Sequence, residues 1–290
     1  AVDLGGYTDK SRTKIFMYRA APIQISYLGY LGTMGCHFID YIIADSIILP
    51  ETSSKFYSEK IVRLPSYQAN SRKRVVSDYP FTRKELGLQD SSFVFCCFNN
   101  SYKITPDIFD SWMRILKNVH NSVLFLYADN EDIKLNLRHE AESRGVDSAR
   151  LVFGGRLPTP MYLARFKVCD LFLDTLPYNS GTTASDALWS GLPVITLIGN
   201  TFAGRMCASI LSAVKLPELV TYTKREYEAL AIELAQNPEK LNQIKNKLNT
   251  NPLSTPLFDT PTFVKNLEDA YKQLYKLLCY DSPLDDIWVQ

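Results

Sequence analysis

From residue 93 to residue 197 the sequence alternates continuous apolar runs with amphipathic segments, and this alternation constrains the fold more than any other feature. Uninterrupted apolar runs are typical of strands that a parallel sheet buries on both faces, and apolar residues at three- and four-residue spacing are typical of the helices that cover such a sheet. Five strand and helix alternations therefore predict one doubly wound α/β domain. We predict its strands at 93–98, 123–127, 151–153, 171–173 and 194–197, and its helices at 106–119, 132–144, 158–167, 183–190 and 205–214.

The residues before this domain predict the end of a second α/β lobe. Short apolar segments at 23–28, 41–44 and 61–64 have the length of strands and are separated by turns. The composition becomes polar and charged between 81 and 89, where a short helix is expected at 82–86. We place the boundary between the lobes near this polar stretch.

Three regions follow from these patterns. We assign residues 1–85 to the C-terminal part of an N-terminal lobe, 86–260 to a Rossmann-like lobe, and 261–290 to a helix that packs back toward the first lobe and a tail. The opening residues resemble the tail of a buried strand that runs into a glycine turn, so we interpret the chain as a fragment. Further helices are predicted at 224–235, 240–248 and 261–278.

The composition excludes several classes of protein. A chain of 290 residues with 46% hydrophobic and 22% charged residues is typical of ordered globular proteins of about two domains. Because 32 Lys and Arg balance 31 Asp and Glu, no net field attracts nucleic acid, and any anionic ligand must be held locally. No stretch approaches the ~20 apolar residues that span a bilayer, and no signal peptide is recognisable, so a cytoplasmic location is expected.

Cysteine and histidine patterns do not predict a metal site. The cysteines lack CxxC spacing and histidine partners, and we interpret all six as reduced core thiols. His37 follows a glycine-rich loop and is a weak candidate for a place in the cleft, whereas His120 and His139 are expected in solvent. The cysteines are Cys36, Cys96, Cys97, Cys169, Cys207 and Cys279.

Polar residues follow the first strand of the complete lobe. Ligands of doubly wound sheets bind outside the carboxyl ends of the strands, so Lys103 lies where a ligand is expected. Thr105 is predicted as the N-cap and Pro106 as the first residue of the next helix. A lysine at this place can neutralise a diphosphate leaving group as its negative charge grows. A solvated surface charge is the alternative for Lys103.

The segment from Asp174 to Asp186 is the most informative one. A strand ends at Asp174, and Thr182 and Thr183 open a helix whose unpaired N–H groups and hydroxyls can bind phosphate oxygens. Gly181 allows the backbone to approach a ligand closely. Asp186, placed in the first turn of the helix, is expected to accept hydrogen bonds from ribose hydroxyls. The alternative is that Thr182 caps the helix and Asp186 complements its dipole.

Three glycines follow the apolar segment at 23–28. Gly29, Gly32 and Gly35 can leave backbone N–H groups open to a sugar or a phosphate. Their spacing is not that of the GxGxxG fingerprint, and formation of a turn is the alternative.

Several motifs in the same order resemble the bacterial relatives of protein O-linked N-acetylglucosamine transferase, the SPINDLY-like group. The resemblance extends over nearly the whole chain, to about residue 275. The motifs that carry it are DLGGYT at 3–8, APIQ at 21–24, YLGYLGTMG at 27–35, DYIIAD at 40–45, FNNSYKITP at 98–106, the segment 171–189 and STPLF at 254–258.

This resemblance implies a GT-B glycosyltransferase with two Rossmann-like lobes and a donor nucleotide held mainly by the C-terminal lobe. Residues 1–85 would then belong to the N-terminal catalytic lobe, and 86–260 would form the nucleotide-sugar-binding lobe. It implies an inverting, metal-independent transfer, without a cofactor, from a UDP-sugar, most simply UDP-N-acetylglucosamine, to Ser or Thr of a polypeptide acceptor. In such proteins tetratricopeptide repeats and the first part of the N-terminal lobe lie upstream. We therefore expect the 290 residues alone to be inactive.

The resemblance also assigns residues to the donor site. Lys103 matches the family lysine on the diphosphate, Arg165 an arginine beside the uracil site, and Asp186 the ribose-binding aspartate. Thr182 and Thr183 match the phosphate-binding threonines. The same site is expected to include Thr8, Leu28, Gly29, Asn100, Leu157, Tyr162 and Gly181.

Four positions depart from the family pattern. Asn100 replaces a glutamine, Thr159 a lysine, Tyr162 a nucleotide-contacting histidine, and Gly181 the histidine before the two threonines. Because of these changes, the resemblance alone does not determine the base or the sugar of the donor. The alternatives are a GDP-fucose-dependent protein O-fucosyltransferase, a degenerate nucleotide- or partner-binding module without turnover, and a GT-B sugar-nucleotide epimerase.

Overall fold

The computed structural model of the protein describes residues 1–250 and 255–289. Ser254, the first residue of the STPLF motif, lies outside the described residues. In chain order the strands are β1 (Val2–Asp3), β2 (Ile25–Ser26), β3 (Tyr41–Ala44), β4 (Lys60–Arg63), β5 (Phe93–Cys97), β6 (Ser122–Tyr127), β7 (Leu151–Gly154), β8 (Leu171–Leu173), β9 (Val194–Leu197), β10 (Val220–Thr221) and β11 (Ile287–Trp288).

Eight α-helices connect or flank these strands in the described part of the chain. They are α1 (Pro106–Asn118), α2 (Glu131–Ser143), α3 (Thr159–Arg165), α4 (Thr182–Trp189), α5 (Met206–Ala213), α6 (Lys224–Gln236), α7 (Pro238–Thr250) and α8 (Thr260–Cys279). Short 3₁₀ turns lie between them, including Lys84–Leu86 where a short helix is predicted.

The strands form two parallel sheets, each with its own hydrophobic core. The first sheet has the order β1-β2-β3-β4-β11 and the second the order β10-β9-β8-β5-β6-β7. The chain order of the second sheet reverses between β5 and β8, as in doubly wound nucleotide-binding domains. The predicted α/β fold with parallel sheets is therefore confirmed.

Local signals set most of the element bounds. Thr105 caps α1, since its side chain accepts a hydrogen bond from the amide of Ile108, and Pro106 is the first helical residue, as predicted. Apolar residues at helical spacing, such as Trp112 and Leu116, are buried in the core of the second lobe. The segment predicted as a strand at 23–28 pairs only over Ile25–Ser26, because the backbone turns at Leu28, where φ is 72°.

The pattern of apolar residues does not predict two of the strands. β10 and β11 have two residues each, too few to show a period. β11 pairs with β4, and Asp286 beside it accepts a hydrogen bond from the amide of Ile61 and forms an ion pair with Arg63. The preceding helix α8 buries Ala270 and Leu274 in the core of the first sheet. The C-terminal segment thus packs on the first lobe.

The cysteines occupy three environments. Cys96, Cys97, Cys169 and Cys207 are buried, in agreement with the prediction of core thiols. The prediction is wrong for Cys279, the last residue of α8, because its side chain faces solvent, and Cys36 is only half-buried.

Candidate functional site

A cavity of about 450 Å³ lies at the carboxyl ends of β5 and β8. This is the point at which the strand order of the second sheet reverses, where sheets of this type bind ligands. One wall comes from the second lobe, and the facing wall comes from the glycine-rich loop of the first lobe and from the residues after β4. Seven predicted site residues line the cavity: Leu28, Gly29, Asn100, Lys103, Gly181, Thr182 and Thr183.

Lys103 is held at the cavity wall by two contacts. Its Nζ donates a hydrogen bond of 3.0 Å to the carbonyl oxygen of Asn179 and lies 3.9 Å from the centroid of the Tyr178 ring. Burial lowers the pKa of Lys103, and the negative charge of Asp174 acts in the opposite direction. An ammonium group has three N–H donors, so this one retains capacity for an anion in the cavity.

The start of α4 provides the second feature that can bind an anion. Thr182 and Thr183 are the first two helical residues, and both line the cavity. The alternative interpretation, in which Thr182 caps the helix, is wrong, because Gly181 is the N-cap and its position has no side-chain cap hydrogen bond. The first N–H groups of α4 are therefore available to a phosphate group.

A buried polar network joins the two strand ends beneath the cavity. The Nδ2 atom of Asn99 donates to the hydroxyls of Thr175 at 2.8 Å and Ser180 at 2.6 Å. Asp174 accepts hydrogen bonds from the amide of Ser180 at 2.7 Å and from the hydroxyl of Thr196 at 2.6 Å. Burial raises the pKa of Asp174, and these hydrogen bonds act against that effect. The network fixes the backbone on which Lys103 and α4 depend.

The glycine-rich loop of the first lobe closes the cavity from the other side. Leu28 adopts a positive φ, and its carbonyl oxygen accepts a hydrogen bond of 3.2 Å from the hydroxyl of Tyr67. A Cβ atom at Gly29 would lie 2.0 Å from the carbonyl oxygen of Leu4, so only glycine fits there. Gly29 is thus both a cavity residue and a structural requirement of the turn.

Four other predicted site residues lie outside the cavity wall. Thr8 is exposed, and its hydroxyl donates to the carbonyl oxygen of Gly5 at 2.7 Å. Arg165 is 1% exposed and lies with its guanidinium carbon 4.2 Å from the Phe98 ring centroid. Leu157 is half-buried before α3, and Tyr162 reaches the site only through a hydrogen bond with Thr183. The structure does not bring these four side chains to the cavity surface.

Asp186 differs from its expected position in two respects. It is the fifth residue of α4, so it lies in the second turn and not in the first. Its carboxylate is 3% exposed and forms an ion pair with Arg74, a residue that no sequence pattern singled out. Asp186 is not among the residues that line the cavity.

Several residues that line the cavity are not among the predicted site residues. Asn99 and Tyr178 belong to segments that carry the family resemblance, and Asn99 is next to the predicted residue Asn100. Gln68 and Met206 carry no local signal, because the fold alone brings them to the cavity. The histidines take no part in this site, since His37, His120 and His139 are all exposed and none lines the cavity.

A larger cavity of about 660 Å³ lies in the first lobe beside the 3₁₀ turn Thr13–Tyr18. It contains none of the predicted site residues, and it does not lie at the end of a sheet strand of the second lobe. The position of the smaller cavity at the switch point identifies it as the candidate site.

Two features are absent from the described residues 1–250 and 255–289. No helix in these ranges has the length and apolar character that crossing a bilayer requires. The same ranges contain no group of three His, Cys, Asp or Glu side chains placed to hold a metal ion.

Known proteins resemble this chain in sequence. The profile of glycosyl transferase family 41 matches residues 1–69 and 66–267. A probable UDP-N-acetylglucosamine–peptide N-acetylglucosaminyltransferase, SEC of Arabidopsis thaliana, is 37% identical over 285 residues, which cover 96% of this chain and 29% of that protein. The SPINDLY protein of Hordeum vulgare, with the same probable activity, is 31% identical and is matched over 97% of this chain and 30% of its own length. The chain thus spans under a third of these relatives.

A solved structure agrees with the sequence comparison. An O-GlcNAc transferase mutant from Thermobaculum terrenum superimposes with a TM-score of 0.87 at 31% identity. The match covers 97% of this chain and 53% of that protein. The arrangement of the two parallel sheets therefore corresponds to an architecture found in a known glycosyltransferase.

Proposed function

Because the chain belongs to glycosyl transferase family 41, we propose that it forms the donor-binding part of a protein O-glycosyltransferase. The donor is UDP-N-acetylglucosamine, and the acceptor is the hydroxyl of a serine or threonine in a polypeptide. The names of the relatives that share 37% and 31% identity with the chain support this donor and this acceptor.

One observation carries the proposal. Lys103 and the open first turn of α4, with Thr182 and Thr183, converge on one cavity at the switch point of the second sheet. A fixed cation and a set of backbone N–H donors together match the charge and the oxygen atoms of a diphosphate. The sugar of a bound donor would then face the glycine-rich loop.

The same groups can assist the transfer step. The acceptor oxygen attacks the anomeric carbon as the bond from that carbon to the β-phosphate oxygen breaks, and the hydroxyl proton leaves to a base. Negative charge grows on the departing diphosphate, and Lys103 and the first turn of α4 line the cavity that we propose for it. Donors that are fixed before reaction stabilise such a charge without reorganisation. Lys103 is therefore our candidate catalytic residue.

Isothermal titration of the 290-residue chain with UDP, GDP and their sugars tests the donor site. We expect UDP and UDP-N-acetylglucosamine to bind, and Lys103→Ala to weaken both by at least about tenfold, a loss of about 1.4 kcal/mol. The matched control is Lys134→Ala, because Lys134 pairs with Glu131 on α2 and does not line the cavity. Absence of nucleotide binding, or equal affinities of the two variants, would refute the donor site. Preferred binding of GDP-fucose would refute the choice of donor.

Transfer to a serine-containing peptide, measured with the protein in its full natural length, tests the acceptor. The expected result is labelled N-acetylglucosamine on the peptide hydroxyl. Nucleotide binding without transfer to any peptide would leave the donor site standing and contradict the proposed acceptor.

A further inference from the structure

The segment that connects the two lobes is bound along α4. We call residues 65–76 the linker. Gln68 donates from Nε2 to the hydroxyl of Ser185 at 3.3 Å, and the indole N–H of Trp189 donates to the carbonyl oxygen of Arg74 at 3.1 Å. Residues 68–70 of the linker line the cavity. The linker therefore forms a wall of the site as well as a connection.

Within this linker, Arg74 forms an ion pair with Asp186 of α4. The Nη1 group of Arg74 donates to Oδ1 of Asp186, whose side chain is 4% exposed, whereas the Arg74 side chain is 23% exposed. A carboxylate so deeply buried needs a partner charge, so the pair is fixed. In the described part of the chain, the guanidinium makes no other hydrogen bond. The rest of its N–H donors are therefore open to a ligand.

The position of Arg74 relative to the cavity indicates which part of a ligand it meets. Asp186 follows Thr183 by three residues, so Arg74 lies about one helical turn from the phosphate-binding end of α4. Its charge also reaches Tyr162, whose hydroxyl bonds to Thr183 and whose pKa is raised by burial. Tyr162 of α3 packs against Phe98 and Phe166, which are buried. Arg74 thus lies beside α3, about one helical turn of α4 from the residues that line the cavity.

We propose that Arg74 is a further donor-site residue that binds the nucleoside part of the donor, and that Asp186 is the positioning residue that orients it. The open N–H groups of the guanidinium donate to oxygen atoms of the ribose or the base. This assignment rests on the proposed function and gives Asp186 a role in addition to the expected contact with the ribose, because its carboxylate holds the guanidinium of Arg74 in place. A planar guanidinium offers paired donors that lysine does not have.

Binding of UDP and of inorganic pyrophosphate to the 290-residue chain tests the assignment, with pyrophosphate measured by competition against labelled UDP. Arg74→Ala should weaken UDP by about tenfold, equivalent to about 1.4 kcal/mol, and leave pyrophosphate unchanged. Arg74→Lys should restore little of the loss. Asp186→Asn should also weaken UDP, and the double variant should lose less than the sum of the two single losses.

Arg72→Ala is the matched control. Arg72 lies on the same linker and forms a more exposed arginine–aspartate ion pair, with Asp259 at the start of α8, and it does not line the cavity. This variant should bind UDP like the unmodified chain. If Arg74→Ala unfolds because Asp186 is left unpaired, the variant Arg74→Gln with Asp186→Asn removes both charges together and should show the same selective loss of UDP.

The results separate this inference from the proposed function. If UDP does not bind the unmodified chain, the donor site and this assignment fail together. If UDP binds and Lys103→Ala weakens it but Arg74→Ala does not, only this assignment fails. Equal losses of affinity for UDP and pyrophosphate would mean that Arg74 binds the phosphates. If pyrophosphate does not compete with UDP at all, the chain has no separate diphosphate subsite. Either result would overturn the assignment of Arg74 to the nucleoside.

Discussion

The ammonium group of Lys103 lies over the face of Tyr178, 3.9 Å from the ring centroid. The aromatic face attracts the cation and shields one side of it from water, while the carbonyl oxygen of Asn179 fixes its direction. A charge that is oriented and partly desolvated interacts more strongly with an anion than a charge in water does. The contact thus prepares Lys103 for a diphosphate before any ligand is bound.

The affinity for UDP should fall as the pH rises through the pKa of Lys103. Burial lowers this pKa from its ordinary value, so the empty site loses its proton at a lower pH than an exposed lysine does. A bound diphosphate favours the charged ammonium and raises the pKa again. Binding should therefore take up protons in the window between the two values. Titrations from about pH 7 to about pH 10, in buffers of different ionisation enthalpy, measure both effects.

Lys103→Arg is the informative control for this pH dependence. A guanidinium stays protonated over the whole range, so the variant should bind UDP with little change in affinity as the pH rises. The diphosphate itself is fully ionised above about pH 7 and adds no dependence there. A pH dependence that survives in Lys103→Arg would show that another group causes it.

Asn99→Ala should destabilise the protein and weaken nucleotide binding together. The amide of Asn99 donates to the hydroxyls of Thr175 and Ser180, and its loss removes one buried hydrogen bond from each of them. The expected cost is about 1–3 kcal/mol of unfolding free energy, measured by urea denaturation. Asn118→Ala, at an exposed position on α1, should change stability by no more than about 0.5 kcal/mol. Equal effects of the two substitutions would contradict a special role for Asn99.

Gly29→Ala should lower the stability of the first lobe. The new Cβ would lie 2.0 Å from the carbonyl oxygen of Leu4, and a backbone atom cannot move aside as a flexible side chain can. A cost of about 1–3 kcal/mol is expected, seen as a lower midpoint of thermal unfolding. Gly32→Ala is the control, because its Cβ would meet only the Tyr30 ring, at 3.6 Å. A Gly29→Ala protein as stable as the control would show that the loop can shift away from Leu4.

Sequence patterns located the second lobe because its signals are local. The bounds of β8 and β9 are those expected, and Thr105 and Pro106 start α1 as predicted. Lys103 could be placed at the cavity because the carboxyl ends of parallel strands share one edge of a sheet. These inferences need only the period of apolar residues and the chemistry of helix ends.

Contacts between residues that are far apart in the sequence produce no local or periodic pattern. Arg74 and Asp186 are separated by 112 residues, and Ile61 and Asp286 by 225. The linker has no periodic pattern, so nothing in the sequence indicated that its arginine reaches α4. For the same reason the sequence did not indicate that Arg165 is buried against Phe98, because this contact depends on the packing of α3 on the sheet.

The contact of Asp45 with Ser209 joins the two lobes at a buried point, and it should contribute measurably to stability. Asp45 is 4% exposed, and its carboxylate accepts hydrogen bonds from the hydroxyl of Ser209 on α5 and from three backbone amides of its own lobe. Ser209→Ala removes the only donor from the second lobe among these bonds. The expected loss in unfolding free energy is about 1.5–3 kcal/mol at neutral pH. Ser212→Ala, at an exposed position on the same helix, is the control.

The sign of the pH dependence distinguishes this contact from ordinary packing. Burial raises the pKa of Asp45 in the folded protein, and the hydrogen bond from Ser209 is the largest effect in the opposite direction. A raised folded-state pKa means that stability is lost as the pH rises through it, and Ser209→Ala raises that pKa further. The difference in stability between the variant and the unmodified chain should therefore be small in acid and grow toward neutral pH. Urea denaturation of both proteins at several pH values measures it, and a difference that does not change with pH would show that Ser209 acts through packing alone.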